Sequence, residues 1–308
     1  MDSKLALYIV KRLTLAVITI FLIITITFFV MHEVPGGPFL SEKAPSAAVT
    51  AALEAKYGLD KPKSEQFVTY LKGIMKGDFG PSIKQRGREV TTVIMQGFKV
   101  SFKLGGTAAA IALAIGIVLG SIAAIFHNRI IDKIIMVVTT GLVAMPSFII
   151  ATLLLLVFCV WMGIFPANGN EPGGLVLPII SLSLYPMSYT TRLTRSSMLD
   201  VLGQDYIRTA RAKGVKPGKV LFKHALRNAV TPVVTYAGPM FAYIITGSLV
   251  VEKIFAVPGL GKEFVSSIIN RDYTMIMGTT IFLGVLIVIM MLVSDILYKV
   301  FDPRIDLG

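Results

Sequence analysis

The sequence has few charged residues for its length. Of its 308 residues, 16% are Asp, Glu, Lys or Arg, whereas a soluble domain of this size carries about a quarter. Residues 13–31, 104–126 and 134–191 together contain a single charged side chain, Glu171. A helix needs about 20 apolar residues to cross a bilayer core of roughly 30 Å. These runs argue against a soluble protein and predict an all-α, polytopic membrane protein.

Cysteine and histidine are also scarce, with one Cys and three His residues. Cys159 lies inside an apolar run, where a packing role is expected. His32, His127 and His224 have no spacing typical of metal ligands. A Gly-x-x-x-x-Gly-Lys-Ser/Thr phosphate loop is missing, and the stretch 214–220 has the wrong spacing for one. We therefore expect a chain that is not an enzyme and binds no metal or cofactor itself.

Carboxylates are rare inside the apolar runs, which argues against a carrier driven by protons or sodium ions. Asp295 is the one candidate, and it lies one helical turn from Lys299, where a structural pair is expected. An intramembrane enzyme would need polar catalytic residues at depth. The fourth apolar segment contains the polar residues Ser181, Ser183 and Tyr185. They have no His or Lys in that segment to act as a catalytic partner.

Six transmembrane spans are predicted, at residues 10–31, 102–126, 134–162, 175–199, 229–251 and 277–300. The first is too long for the apolar region of a signal peptide, and no small-x-small cleavage site follows it, so we expect an uncleaved helix. The fourth and fifth spans contain prolines. Such breaks are tolerated where other helices or water satisfy the freed carbonyls. The two spans therefore either face other helices or a cavity, or carry ordinary proline kinks with no functional role. The prolines are Pro178, Pro186, Pro232 and Pro239.

Basic residues are unevenly placed along the chain. Both termini and the loops after the second and fourth spans carry sixteen Lys and Arg residues in all. Because cytoplasmic loops are enriched in Lys and Arg, both termini are predicted to be cytoplasmic. The long segment 32–98 is placed outside, since long translocated segments largely escape this rule. The positive charge suits anionic lipid or an acidic protein partner, and without a soluble module we expect no nucleic-acid binding.

Three parts follow: a cytoplasmic N-terminus and first helix (1–31), an outside insertion (32–98) and a five-helix core (99–308) with a basic cytoplasmic loop (200–228). The insertion is interpreted as a lid, a docking surface or a stabilising cap. Further helices are predicted at 46–57, 64–75, 88–103 and 264–270.

The basic loop contains start and stop signals of a short helix over residues 205–214. Asp205 suits the positive N-terminus of a helix and Lys213 the negative C-terminus. Gly214 fits the left-handed position that ends a helix, and Pro217 is expected to prevent its renewal. Charge alone would also fit a loop that only fixes topology. The remaining members of this stretch are Tyr206, Ile207, Arg208, Thr209, Ala210, Arg211 and Ala212.

Two motifs in this loop resemble the coupling loop of permeases of the oligopeptide/dipeptide/nickel group of ABC importers. They are Arg-Thr-Ala-Arg-Ala-Lys-Gly at 208–214 and His-Ala-Leu-Arg-Asn-Ala at 224–229, followed by Pro232. The sequence departs from the general ABC permease signature. Residues 208–210 replace its Glu-Ala-Ala, and the proline lies farther from the glycine than in that signature. Both departures look usual for the peptide branch.

The resemblance extends nearly end to end. It includes motifs at 34–38, 57–62, 77–82, 252–261, 270–273 and 302–304. The insertion near 35–43 and Asp-Phe-Gly-Pro-Ser at 78–82 are most similar to the B-type permease subunit of oligopeptide importers.

The resemblance implies the six-helix, type I permease architecture and a pore subunit that moves oligopeptides into the bacterial cytoplasm across the inner membrane; dipeptides or nickel are the alternative cargo. It implies a second, related permease, two ABC ATPases that bind ATP and Mg, and an extracytoplasmic peptide-binding protein. The helix over 204–214 is expected to couple ATPase motion to alternating access. His224, Arg227 and Asn228 are assigned to the same coupling role. Possible pore-lining residues of the fifth span, for which core packing is an equal explanation, are Tyr236, Gly238, Pro239, Met240 and Tyr243.

Overall fold

The structure, a computed structural model, describes residues 3–34, 55 and 58–301, and the side chains of 8–34, 55, 58–245 and 248–296. Within that part, regular structure is helical, with one isolated antiparallel bridge between Pro81 and Glu89. The first helices are α1 (Ser3–Glu33), α2 (Lys63–Met75), α3 (Val90–Ile125), α4 (Ile130–Ala144), α5 (Ser147–Leu154), the π-helix π1 (Leu155–Trp161) and α6 (Val176–Leu202). Then come α7 (Asp205–Ala212), α8 (Pro217–Lys219), π2 (Val220–Leu226), α9 (Arg227–Ala229), α10 (Thr231–Gly247), α11 (Leu249–Ile254), α12 (Leu260–Asn270) and α13 (Tyr273–Phe301).

Helices lie at all six predicted span positions. Among the described helices, four are long and apolar enough to cross a membrane, and a fifth span is present if α4 and α5–π1 are counted as one bent span. Helix α6, at the position of the fourth predicted span, has 27 residues but does not meet this criterion, because its Ser, Thr, Tyr and Arg side chains lower its hydropathy. The four helices that are long and apolar enough are Tyr8–Glu33, Val90–Ile125, Thr231–Ile254 and Tyr273–Ile296. The prediction of a helical membrane protein is confirmed.

One predicted span differs from the structure. The third span, 134–162, is not one helix, because the chain bends by 103° between α4 and α5. Pro146 precedes the first residue of α5, and a residue before proline is disfavoured in the helical region. The helix predicted at 88–103 is confirmed from Val90 onward, and it leads into the second span within the single helix α3.

The prolines of the fourth and fifth spans do not end their helices. Pro186 lies inside α6 and Pro239 inside α10, both of which continue on either side. Pro232 occupies the first turn of α10, where a missing N–H costs no hydrogen bond. The predicted helices at 64–75 and 264–270 are confirmed by α2 and α12. The helix predicted at 46–57 lies outside the described residues, apart from Ala55.

One compact unit is formed by the described residues of 1–100 and 259–289. Here α2 packs against α1 through aromatic rings, with Phe67 and Phe28 centroids 5.2 Å apart. His32 Nε2 lies 3.0 Å from the Oε1 atom of Gln66, which joins the same two helices. A half-open cavity of about 360 Å³ lies beside these helices. Burial raises the pKa of the Tyr70 phenol that lines it above the ordinary value.

Two of the sequence motifs meet in this unit at the carboxylate of Asp272, which is 1% exposed. Ser82 donates its hydroxyl to this carboxylate, and the N–H groups of Ile83 and Lys84 donate to it at 3.2 and 3.4 Å. Thr274 in turn donates to the carbonyl of Pro81 at 2.9 Å. Asp272 therefore holds the loop after Gly80 against the start of α13.

The second compact unit contains the described residues of 101–258 and 290–301. Helix α6 packs against α4, α5, α9, α10 and α11. Six of its eleven buried residues are Ser or Thr. Thr191 donates to the carbonyl of Met187 at 2.8 Å, and Ser188 bonds in the same way to Leu184. The buried face of α6 is thus largely polar and is covered by protein, as polar residues in a membrane chain require.

Candidate coupling site

Helix α7 has well-defined ends. Its N-cap residue, Gln204, is extended, with φ −73° and ψ 150°, and Asp205 occupies the first turn, where a negative charge suits the helix dipole. At the other end Gly214 has a φ of +72°. Its N–H donates to the carbonyl of Arg211 at 3.0 Å, and the N–H of Val215 donates to that of Ala210 at 3.2 Å. This pair of bonds is a Schellman motif, and it confirms the predicted end of the helix.

Ile207 anchors α7 to the rest of its unit. Its side chain is fully buried in a cluster with Met198 of α6 and Ala124 of α3. Val220 and Ala225 of the following π-helix and Ala229 of α9 complete the same cluster. Fully burying such a side chain stabilises by about 1.5–3 kcal/mol. The helix is therefore attached to several elements through one apolar residue.

The rest of α7 faces outward. Asp205 and Arg208 have side chains 96% and 76% exposed and lie 3.7 Å apart, a distance at which an exposed pair adds little stability. Thr209, Arg211 and Lys213 are exposed as well. The helix thus presents a polar, mainly basic surface while it is held from behind.

Pro217 does not prevent a new helix, and that expectation is wrong. It is the first residue of α8, from which helical structure continues through π2 and α9 as far as Ala229. Proline is well tolerated at the first helical position, because the N–H it lacks has no partner there. What separates α7 from this segment is the left-handed Gly214, and not the proline.

The predicted residues of the second motif lie beside α7 to different extents. Asn228 donates its side-chain amide to the hydroxyl of Tyr206 at 2.8 Å, so this pair joins the two segments. The carbonyl of His224 accepts a second bond from the same amide at 3.3 Å. Arg227 is exposed. Of the three residues, Asn228 contacts α7 directly, and the coupling role of all three stays a prediction.

The predicted pore-lining residues on α10 do not form one surface. Tyr243 is 71% exposed, whereas Met240 is 3% exposed. The ring of Tyr236 lies 4.4 Å from that of Tyr189 on α6. Gly238 approaches Ser294 of α13 so closely that an added Cβ would lie 3.2 Å from its Cα. Tyr236, Gly238 and Met240 therefore have packing contacts here, and the pore role of all five residues, Pro239 included, stays a prediction.

Sequence reasoning missed one polar cluster near this site. Asp132 of α4 accepts two hydrogen bonds from the guanidinium of Arg195 on α6, at 2.6 and 2.8 Å. The two residues are 63 positions apart, and no local spacing indicates such a pair. The only signal is a charge at the end of each apolar segment. In the described part of the chain, no three His, Cys, Asp or Glu residues are grouped so that they could hold a metal ion.

Two family models match the chain. The "binding-protein-dependent transport system inner membrane component" model matches residues 116–307, and the N-terminal model of the same system matches residues 5–98. Curated relatives match over nearly the whole length. The dipeptide transport system permease protein DppB of Bacillus subtilis is 49% identical over 98% of this chain and 99% of its own. The oligopeptide transport system permease protein OppB of Haemophilus influenzae is 43% identical over 97% and 98%.

Solved structures show the same fold at low sequence identity. A methionine ABC transporter, MetNI, in inward-facing conformations has a TM-score of 0.58 at 17% identity, covering 68% of this chain and 96% of its own. An amino acid ABC transporter has a TM-score of 0.53 at 16% identity, covering 70% and 95%. The molecule is thus a membrane permease of the type I ABC importer architecture. It belongs to the family of binding-protein-dependent transport system inner membrane components, in the branch of the dipeptide and oligopeptide permeases.

Proposed function

We propose that this chain forms half of the translocation pore of an ABC importer that moves peptides into the cytoplasm. The observation that carries the proposal is the end-to-end identity of 40–49% to permeases named for dipeptide or oligopeptide transport. Oligopeptides remain our first candidate for the cargo, because the insertion near 35–43 and the motif at 78–82 are most similar to the B-type subunit of oligopeptide importers. Dipeptides are the second candidate, because the relative at 49% identity carries that name.

The coupling role is proposed for α7 and the segment behind it. A helix that transmits force must be rigid, exposed on the side that meets a partner, and attached on the other. Helix α7 has capped ends, an exposed basic face and the buried anchor Ile207. Movement of an ATPase would shift α7, and Ile207 would carry the shift to Met198 on α6. Closely packed elements move together because a packed core deforms little.

The partners follow from what one chain lacks. It has one predicted coupling helix and no phosphate loop in its sequence, so we expect a second permease to complete the pore and separate subunits to hydrolyse ATP. The resemblance to peptide permeases implies that the second permease is a related chain and that there are two ATPase subunits. ATP and Mg are bound by those subunits, and this chain needs no cofactor. An extracytoplasmic peptide-binding protein delivers the cargo, anionic lipid faces the basic loops, and both termini are cytoplasmic.

The test is peptide uptake by the whole transporter, purified with this chain and reconstituted in proteoliposomes with its binding protein. Labelled peptides of two to six residues identify the cargo, and ATP hydrolysis is measured in the same vesicles. Arg211→Glu in the exposed face of α7 is expected to abolish uptake, because it reverses the charge that meets the ATPase. Lys216→Glu, at another exposed residue of the same loop but outside the predicted docking residues, is expected to retain most of it.

Two results would contradict the proposal. One is ATP-dependent uptake of a cargo other than peptides, such as a metal ion, with no peptide uptake at any length. The other is normal peptide uptake by both Arg211→Glu and a variant with a bulky residue at Gly214, which would leave the loop as a topology signal only.

A further inference from the structure

The segment of α6 that contacts α7 also makes a hydrogen-bonded contact with α4. The guanidinium of Arg195 donates two hydrogen bonds to the carboxylate of Asp132, from Nε to Oδ1 at 2.6 Å and from Nη2 to Oδ2 at 2.8 Å. The Asp132 side chain is 3% exposed and that of Arg195 is 21% exposed. Such a bidentate pair fixes orientation as well as distance. We call it the Arg195–Asp132 clasp.

The turn between α3 and α4 supports the clasp. The N–H of Asn128 donates to Asp132 Oδ2 at 2.9 Å, from a residue with a φ of +64°. His127 Nδ1 lies 3.1 Å from Arg195 Nη2 and 3.5 Å from Asp132 Oδ2. The carboxylate is therefore surrounded by donors and is a defined part of the fold. It is not a fortuitous surface contact.

The clasp lies next to the anchor of α7. Met198, in the turn that follows Arg195 on α6, packs in the Ile207 cluster, and so does Ala124 near the end of α3. At Gly120 the backbones of α3 and α6 approach so closely that an added Cβ would lie 3.1 Å from the nitrogen of Arg195. One short segment of α6 thus contacts α7 through Met198 and α4 through Arg195.

We propose that the clasp carries movement of α7 into the bent span formed by α4 and α5. The proposal rests on the coupling function proposed above, and it makes Arg195 and Asp132 positioning residues that touch neither cargo nor ATP. Breaking the pair while α6 moves would leave a buried carboxylate without its cation, which is strongly unfavourable. The start of α4 therefore follows α6 when α7 is displaced, and the span that bends by 103° at Pro146 receives the movement.

The experiment compares clasp variants in the complete transporter in proteoliposomes, with ATP hydrolysed per peptide imported as the readout. The variants are Arg195→Ala, Arg195→Lys, Asp132→Asn and the double variant Arg195→Ala/Asp132→Asn. Lysine keeps the charge but lacks the planar fork, so Arg195→Lys preserves folding best while it removes the bidentate geometry. The matched control is Arg192→Ala, which removes an exposed arginine about one turn earlier on the same helix.

We expect the clasp variants to consume about tenfold more ATP per peptide, within the range of typical coupling energies, and Arg195→Lys to lie between them and the wild type. The double variant is expected to be no worse than Arg195→Ala, because residues that act through one contact are not additive. The control keeps the wild-type ratio.

An unchanged ATP-to-peptide ratio in assembled Arg195→Lys and Asp132→Asn transporters would overturn the proposal. So would a parallel loss of assembly, hydrolysis and uptake in every clasp variant, since that pattern belongs to a purely structural pair. Failure of the coupling function itself would appear separately, as wild-type transporter without ATP-dependent peptide uptake or as Arg211→Glu without effect.

Discussion

Gly214 determines where helix α7 ends, and it does so through its backbone alone. A Cβ placed on it would meet no atom within 4 Å, yet its φ is +72°, where a side chain costs roughly 1–2 kcal/mol. The two carbonyls of the Schellman motif depend on this conformation. The glycine is therefore required by the turn, and lack of space plays no part.

Gly214→Ala is expected to destabilise the end of α7 by about 1 kcal/mol and to raise the ATP consumed per imported peptide. Gly218→Ala is the matched control, because Gly218 also has open space for a Cβ but lies in α8 without a positive φ. Thermal unfolding of the purified transporter and the ATP-to-peptide ratio provide the measurements. Equal behaviour of the two alanine variants would show that the left-handed turn is not needed.

Asp272 is a second residue whose role is set by hydrogen bonds rather than by packing. Asp272→Ala removes the acceptor for Ser82, Ile83 and Lys84, and each buried donor left unpaired costs about 1–3 kcal/mol. We expect a lower unfolding temperature and faster protease cleavage of the loop after Gly80. Asp60→Ala, at an exposed aspartate of the same unit, should change neither quantity. An unaltered cleavage rate in Asp272→Ala would refute the predicted role of the carboxylate.

At the scale of elements, glycines of α3 allow its close approach to the polar helix α6. A Cβ at Gly120 would lie 2.5 Å from the carbonyl oxygen of Thr191, and one at Gly116 would lie 2.9 Å from that of Met187. Backbone atoms cannot move aside as a flexible side chain can. Small residues permit this kind of contact between membrane helices.

Gly120→Ala is therefore expected to push α3 away from α6, at a cost of about 1–3 kcal/mol for overpacking. Gly106→Ala tests the same substitution in the same helix at a position where a Cβ meets nothing within 4 Å. The measurement is the midpoint of thermal unfolding in detergent, which should fall for the first variant only. Helix propensity alone would raise the midpoint in both variants, because alanine favours a helix more than glycine does, so a rise for Gly120→Ala would contradict the predicted clash with α6.

The elements show what sequence can and cannot predict here. The end of α7 was predictable, because a glycine after a basic last turn is a local signal. The bend at Pro146 was missed, since an apolar run long enough for one span conceals a break inside it. The spans predicted to run through the prolines of α6 and α10 do continue there, because a membrane protein can satisfy the carbonyls that a proline leaves free. The Asp272 bonds to Ser82 join residues 190 positions apart, and no local pattern specifies such a contact.

At the scale of the whole molecule, the chain is larger than the fold it shares with distant transporters. The two solved structures match 68–70% of this chain but 95–96% of their own. The dipeptide and oligopeptide permeases, in contrast, match the chain over 97–98% of its length. These relatives therefore share the length that the two distant transporters do not match.

Orientation in the membrane is predicted from basic residues and can be tested in whole cells. Cys159 is the single cysteine, so Cys159→Ser provides a background without thiols. Lys213→Cys, at the exposed end of α7, is expected to be inaccessible to a membrane-impermeant maleimide in intact spheroplasts. Lys76→Cys, equally exposed just after α2, should react, because the insertion 32–98 is predicted to be outside.

After permeabilisation both cysteines should be labelled, which controls for local burial. The expected asymmetry follows from retention of Lys and Arg on the cytoplasmic side, and it places α7 where ATP is available. Labelling of Lys213→Cys in intact spheroplasts, with Lys76→Cys protected, would invert the topology. The basic face of α7 would then point away from the cytoplasm, and a cytoplasmic ATPase would have no coupling helix to contact.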